Sequence, residues 1–274
     1  MEETRQKLIH YAYTVLGSLE DAKDMAQETI RKFLAMERGH IKDPSNYMIK
    51  MVINEAINFK NRHKRSVGYG TWLPEPVETP NQRSSIEKEQ IINYSLLVLF
   101  EKLNARERAV FVLKEAFGFD HRYISELLEI SPDNSRQLLA RAKKKIRFLP
   151  GGQKPSTKIR SLEPYMAAIK DRDIAALEEL LAHDVELQAD GGDSVQVVTA
   201  RQQGRDKIIP LVLHVYQAFQ QGQQISYTIV NHQPALLYHD KGRLVNCQVF
   251  TVREEKIVQI FSILNPSKLQ HLSR

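Results

Sequence analysis

Between Ser66 and Pro80 the chain reads Ser66-Val-Gly-Tyr-Gly-Thr-Trp-Leu-Pro-Glu-Pro-Val-Glu-Thr-Pro80, with three prolines and two glycines. Proline lacks the amide a helix ladder needs and clashes with the preceding turn. The stretch therefore predicts an extended linker that splits the first half of the chain into two helical blocks. Residues 1–65 read as helix throughout, and residues 86–149 read as helix again. A second boundary stands at Gly151-Gly-Gln-Lys-Pro-Ser156. Beyond residue 160 the spacing predicts a helix at about Leu162–Leu181, a mixed segment, and a helix at about Arg205–Phe219. Alternating runs follow at Ile225–Val230, Ala235–Tyr238, Leu244–Val252 and Ile257–Ile263, parted by Gly242 and Arg253-Glu-Glu-Lys256. Helices followed by antiparallel-looking strands predict an α+β domain.

Size agrees with several cores: 274 residues at 42% hydrophobic exceed one typical domain. No apolar run reaches the roughly 18 residues of a membrane span, and the polar start carries no signal-peptide core. We expect no membrane partner and a cytoplasmic protein. A single cysteine, Cys247, excludes an internal disulfide framework and a Cys-based zinc site and reads as a small buried hydrophobe. No metal or cofactor is expected. The net charge of +6 is uneven: residues 1–150 hold 25 Lys and Arg against 20 Asp and Glu, and the remainder 14 against 13. A basic first half suits a polyanion, although solubility alone explains a bias of this size.

The strongest motif lies at 120–147. Asp120 can cap a helix carrying Tyr123, Ile124, Leu127 and Leu128 on one face. Ser131-Pro132-Asp133 then starts a second helix with Ser131 at the cap and Pro132 in the first turn. Its apolar residues Leu138, Leu139, Ala142, Ile146 and Leu149 keep helical spacing, opposite Arg136, Gln137, Arg141, Lys143, Lys144 and Arg147. Two short helices, the second basic outside, predict a helix-turn-helix, with a plain αα-hairpin as the alternative. Arg136 and Gln137 sit where side chains reach base edges; Arg141 and Lys144 sit where they reach phosphates. Glu129 occupies the turn position that often takes glycine, which predicts strain there.

Upstream, Ser18 can cap a helix with Glu20 and Asp21 in its first turn, and Asp43-Pro44 starts another that runs to about Arg62. This last helix carries a polar stripe, Lys50, Asn54, Asn58 and Asn61, followed by Arg62, Lys64 and Arg65. Asparagine is a mediocre helix former, so three on one face serve something other than propensity. Amides offer donors and acceptors to bases and the basic end offers charge to phosphates; a solvated face is the alternative. Tyr47, Phe59 and Tyr69 could stack on unpaired bases, or fill core. Asp21, Asp24 and Glu28, with Gln27 beside them, would repel DNA and suit a basic protein partner.

The order of these parts resembles the extracytoplasmic-function (ECF) sigma factors of the sigma-70 family. Leu16-Gly-Ser-Leu-Glu-Asp21-Ala-Lys-Asp24-Met-Ala-Gln27-Glu28-Thr29 is similar to their polymerase-binding helix, and Tyr47-Met-Ile-Lys-Met-Val-Ile-Asn54-Glu-Ala-Ile-Asn58 to their −10-recognition helix. Leu103-Asn-Ala-Arg-Glu-Arg-Ala-Val-Phe-Val-Leu113 with the helix-turn-helix is similar to their region 4. The resemblance implies that Asp21, Asp24, Gln27 and Glu28 face core RNA polymerase, through its β′ subunit, with β as a further partner. It implies that Lys50, Asn54, Asn58, Asn61, Arg62 and Arg65 hold single-stranded −10 DNA, and that Arg136, Gln137, Arg141 and Lys144 grip duplex −35 DNA. Residues 160–270 resemble a SnoaL-like domain, a cone-shaped α+β fold, and a subgroup of these sigma factors carries it fused. Three motifs mark the subgroup: Trp72-Leu73-Pro74-Glu-Pro76, Asp190-Gly191-Gly192-Asp-Ser194 and Asn265-Pro266-Ser-Lys268-Leu269. The second and third depart from the usual Asp-Gly-Gly-Gly-Lys and from the usual middle Asp. In that subgroup the extra domain regulates the sigma core in cis.

The expected protein is multidomain: region 2 at 1–66, a linker at 67–90, region 4 at 91–150, a linker at 151–160 and a SnoaL-like domain at 161–274. The two sigma domains are all-α. Asp190, His214, His232 and His239 are the candidate acid/base residues of the last domain, but no spacing demands catalysis, and Asp190-Gly-Gly reads as a turn. We expect a regulatory surface rather than an enzyme, with a small-molecule ligand left open. The alternatives are a stand-alone helix-turn-helix regulator with a ligand-sensing domain and, last, a SnoaL-type enzyme with a DNA-binding appendage.

Overall fold

The computed structural model describes residues 2–37, 41, 43–62, 69–79, 92–147, 161–198 and 201–272. Lys64, Arg65, most of the second half of the linker and the 151–160 boundary lie outside them, as do the side chains of Tyr69 and Arg147. The chain divides into two compact units.

The first unit comprises 1–65, 85–92 and 96–152. The block expected to be helix throughout is three helices: α1 (Glu2–Leu16), α2 (Leu19–Ala35) and α3 (Pro44–Arg62). The breaks follow the capping signals. Ser18 Oγ accepts from the Asp21 amide at 3.2 Å, and Asp43 Oδ1 accepts from the Asn46 amide at 3.0 Å. Leu8, Ala12, Leu16, Ala22, Ala26, Val52, Ile53 and Ala56 are buried. Downstream come α4 (Tyr94–Phe100), whose first two residues count with the second unit, and α5 (Ala105–Phe111), the latter opened by an Asn104–Glu107 capping box and passing into a π-turn at Val112–Ala116. The pair α6 (His121–Leu128) and α7 (Pro132–Arg147) follows. Arg108 is wholly buried; its Nε donates to Thr14 O at 2.6 Å and its Nη1 pairs with Glu101. Glu101 also takes Lys60 at 3.1 Å, so one carboxylate ties α3 to α5.

The second unit comprises 66–84, 93–95 and 153–274. Its helices are α8 (Glu163–Asp171), α9 (Ile174–Leu180) and α10 (Arg205–Val215), with α10 passing into a π-turn at Tyr216–Gln220. Its strands are β1 (Tyr69–Gly70), β2 (Leu181–Gly192), β3 (Gln202–Gln203), β4 (Gln224–Val230), β5 (Gln233–Asp240), β6 (Arg243–Arg253) and β7 (Lys256–Ile263). The sheet order is β1-β2-β7-β6-β5-β4, with β3 beside β2. A short helix, α11 (Pro266–Leu269), closes the unit. Tyr165, Met166, Ile169, Leu177, Ile208 and Val212 of the helices join Leu236, Tyr238, Phe250 and Ile260 of the sheet in one core. Each such side chain contributes about 1.5–3 kcal/mol. This is the expected α+β architecture.

Three local expectations are corrected. The helix drawn over Leu162–Leu181 is broken at Arg172, which adopts φ 56°, and Asp173 recaps the chain by accepting from the Ala176 amide at 2.9 Å. The first half of the mixed segment is the strand β2, and it pairs with β7 in parallel, unlike the antiparallel rest. Asp190-Gly-Gly is the end of that strand, not a free turn.

Candidate functional site

On α7 the side chains divide cleanly. Ser135, Leu138, Leu139, Ala142 and Ile146 are buried, whereas Arg136, Gln137, Arg141 and Lys144 are exposed along one stripe. Asp120 Oδ1 accepts from the Tyr123 amide at 2.7 Å and Ser131 Oγ from the Asn134 amide at 3.1 Å, so both predicted caps form. His121 Nδ1 lies 2.9 Å from Ser135 Oγ and ties the start of α6 to α7. Glu129 takes the left-handed conformation at φ 53°, ψ 50°, the strained turn expected of a residue in a glycine position. Arg136 is engaged by Asp133 at 2.6 Å and Lys143 by Glu115 at 2.8 Å.

The stripe on α3 is divided. Asn58, Asn61 and Arg62 are exposed. The N-terminal part meets α6: Asn54 Nδ2 donates to Leu127 O at 3.1 Å, Lys50 pairs with Glu129 at 3.1 Å, and the Tyr123 hydroxyl donates to Asn46 Oδ1 at 2.8 Å. On α2, Asp24 and Gln27 are exposed and Asp21 half-buried. Glu28 is held by Arg31 through two bonds of 2.6 and 2.7 Å, and this pairing keeps its carboxyl below the usual range.

In the second unit the three short motifs meet. Asp190 Oδ2 accepts from the Leu73 amide at 2.8 Å and pairs with Lys268, whose Nζ also donates to Leu73 O at 2.5 Å. The Lys268 ammonium sits 4.1 Å from the centre of the Trp72 ring, a cation–π contact. Both charges are almost completely shielded, with side-chain exposures of 7% for Lys268 and 4% for Asp190. The backbone of Asp190 works as well: its carbonyl accepts from Leu264 and Asn265 at 2.8 and 3.0 Å. Asn265 caps α11 by accepting from the Ser267 amide at 3.1 Å, which aims Lys268 inward. Glycine is required at two points. A Cβ on Gly70 (φ 93°) would lie 2.2 Å from Ala189 O, and one on Gly192 (φ 59°) would lie 2.6 Å from the Asn265 side chain.

Residues 69–79 thus form a strap on this unit, and its remainder is pinned too. The Tyr94 hydroxyl donates to Pro74 O at 2.6 Å; Asn231 Oδ1 accepts from the Val77 amide at 2.8 Å and its own amide donates to Val77 O at 2.9 Å. Gln233 Oε1 accepts from the Ser95 amide at 2.7 Å. Sequence reasoning missed Tyr94, Asn231 and Gln233. The one signal for Asn231 is that it opens a turn with His232 in which both residues take positive φ, a conformation asparagine tolerates. Of the four acid/base candidates, His214 lines a cavity of the second unit, whereas Asp190, His232 and His239 do not. Cys247 is buried and its thiol is pushed up by that burial, as a small core residue should be.

Comparison with known proteins follows the same division. Residues 1–66 match the family Sigma-70 region 2, and residues 94–146 match Sigma-70, region 4. The chain is 26% identical over 290 aligned residues to the ECF RNA polymerase sigma factor SigJ of Mycobacterium tuberculosis, covering 97% of this chain and 91% of that one. It is 25% identical over 278 residues to the probable ECF RNA polymerase sigma factor SigI of the same species, covering 98% and 93%. The crystal structure of the M. tuberculosis extracytoplasmic function sigma factor SigJ aligns with a TM-score of 0.79 at 26% identity, covering 98% of this chain and 97% of that one.

Proposed function

We propose how this chain, which belongs to the extracytoplasmic-function group of the sigma-70 family and serves RNA polymerase in transcription initiation, divides that work among its parts. The factor binds core polymerase and promoter DNA rather than acting as an enzyme, and it acts where polymerase does, in the cytoplasm. Asp21, Asp24, Gln27 and Glu28 meet the β′ subunit, with β as the further contact. Asn58, Asn61, Arg62 and, once freed from α6, Lys50 and Asn54 hold the −10 strand; Arg65 continues this basic end. Arg136 and Gln137 read −35 bases, and Arg141 and Lys144 grip phosphates. The exposed basic stripe of α7 supports that assignment. The engagement of Lys50 and Asn54 by α6 supports a resting form that must open on loading.

The second unit regulates the factor in cis by holding the segment between regions 2 and 4. The observation that carries this reading is the buried clasp of Asp190 and Lys268 on the backbone of Leu73. Removing the residues after about 205 dismantles the clasp. In vitro transcription with core polymerase should then change in output and promoter preference; identical output and preference would reject cis regulation. A stand-alone helix-turn-helix regulator would instead shift duplex DNA without polymerase, and the acidic residues of α2 have no use in it.

A further inference from the structure

Two distant stretches of chain meet on one turn of the second unit. Strands β4 and β5 are joined by Asn231 and His232, which take φ 47° and 60°, with Val230 paired to Gln233 across the turn. On one side the turn grips the end of the strap. Asn231 Oδ1 accepts from the Val77 amide, and the Asn231 amide donates to Val77 O. The His232 amide donates to Thr79 Oγ1 at 3.0 Å, while the Thr79 amide donates to Ile229 O at 2.8 Å. On the other side it grips the start of α4. The Asn231 carbonyl accepts from the Tyr94 amide at 3.3 Å, and Gln233 Oε1 accepts from the Ser95 amide at 2.7 Å. Thr79 and Tyr94 are fifteen residue steps apart, a reach of about 50 Å when extended. The turn instead seats both on a single hairpin, whose strands lie about 4.8 Å apart.

The first amides of a helix have no partner within it, and a side chain at its own cap ordinarily takes one of them. In α4 a side chain 138 positions further along the chain does this work. Gln233 is buried, and both ends of its amide are committed: Nε2 donates to Thr251 Oγ1 at 2.8 Å, which turns Oε1 toward Ser95. Ser95 is itself buried, so an apolar or shorter residue at 233 would leave its amide shut off and unpaired. The match to Sigma-70, region 4 begins at residue 94, so Tyr94 and Ser95 are its opening residues. The helix they start continues into the first unit and ends beside Glu101, whose carboxylate takes both Arg108 and Lys60.

We infer that this turn is a clamp that sets where region 4 begins, with Asn231 the positioning residue for the strap and Gln233 for the first turn of α4. This role rests on regulation in cis by the second unit and extends that hold from the linker to region 4 itself. The test is hydrogen exchange read by mass spectrometry on the full chain. Gln233→Met keeps the side chain's length but offers Ser95 no acceptor. Peptides spanning Tyr94–Phe100 should then exchange about tenfold faster, while those spanning Thr71–Thr79 stay within about twofold. Asn231→Gly suits the positive φ and removes Oδ1, so it should give the reverse pattern. Asn231→Asp keeps the acceptor oxygen and should exchange as the wild type does. A variant that only loosened the unit would speed both sets of peptides together. Gln233→Asn, one carbon too short to reach Ser95, replaces Gln233→Met should that variant fail to fold. In transcription with core polymerase, Gln233→Met should raise output from promoters of unfavourable −10 to −35 spacing about threefold relative to the optimum. Exchange that is unchanged, or that rises equally in both sets of peptides, overturns the clamp. Crossed exchange with a wild-type spacing profile overturns its positioning role, and regulation in cis is then judged separately by truncation after residue 205.

Discussion

Lys268 and Asp190 carry opposite charges that water barely reaches, and each is also hydrogen-bonded to the backbone of the strap or of β2. Removing one partner strands the other as an uncompensated buried charge. Lys268→Met should therefore cost about 3–5 kcal/mol in urea unfolding of the second unit, and the double variant Lys268→Met/Asp190→Asn should recover most of it. Equal losses in the single and double variants would show that the ion pair is not what the site depends on. In the first unit His10 is set between Tyr11 and Phe117, and its Nε2 is shut off without a partner. Burial lowers its pKa from the ordinary 6.5 to about 4. Above pH 6.5 neither folded nor unfolded chain protonates it; as pH falls toward 4, the unfolded chain takes a proton that the folded chain refuses. The stability tied to neutral His10 is thus present above about pH 6.5 and lost on descending that window. Between about pH 7 and pH 5 the wild type should lose about 2 kcal/mol more than His10→Phe, and a pH-independent difference would remove His10 as the cause.

At the scale of elements, the proposed division of α7 assigns phosphates to Arg141 and Lys144 and a base to Gln137. Arg141→Ala and Lys144→Ala should weaken binding evenly across promoter sequences and lower the salt dependence. Gln137→Ala should cost about 1–3 kcal/mol at one base position only, which a promoter library read with the polymerase holoenzyme will separate. The helices α2, α3, α6 and α7 were legible because their determinants are local: the caps at Ser18, Asp43, Asp120 and Ser131 each lie three residues from the amide they accept from. The strand β2 was not. Its run Leu181–Gly192 ends in Asp-Gly-Gly, the grammar of a turn, and its partner β7 lies some seventy residues away, beyond any local periodicity. The break at Arg172 escaped for the opposite reason, since neither glycine nor proline marks it. Likewise the motif residues Trp72, Asp190 and Lys268 were readable as candidates. The hydrogen bonds of Asn231 and Tyr94 with the strap, and of Gln233 with the Ser95 amide, were not, because each joins residues 20 to 154 positions apart.

For the whole molecule the decisive quantity is chain length. Seven residue steps separate Arg62, the end of α3, from Tyr69, where the strap enters the sheet. At about 3.3–3.6 Å per residue that is a reach of at most about 25 Å. With the strap detached, the free chain from Arg62 to Ile92 would be thirty steps, about 100 Å fully extended. The clasp therefore shortens the tether between the parts assigned to the −10 and −35 elements, and a shortened tether restricts which promoter spacings both can engage at once. Transcription from a library in which that spacing changes one base pair at a time should give the wild type a narrow optimum, with output falling about tenfold two base pairs away. Lys268→Met should flatten this profile to less than about threefold over the same range while keeping the same preferred −10 and −35 sequences. The clasp would then set distance, leaving recognition to α3 and α7. Superimposable spacing profiles would show that the strap, however tightly held, does not measure the promoter.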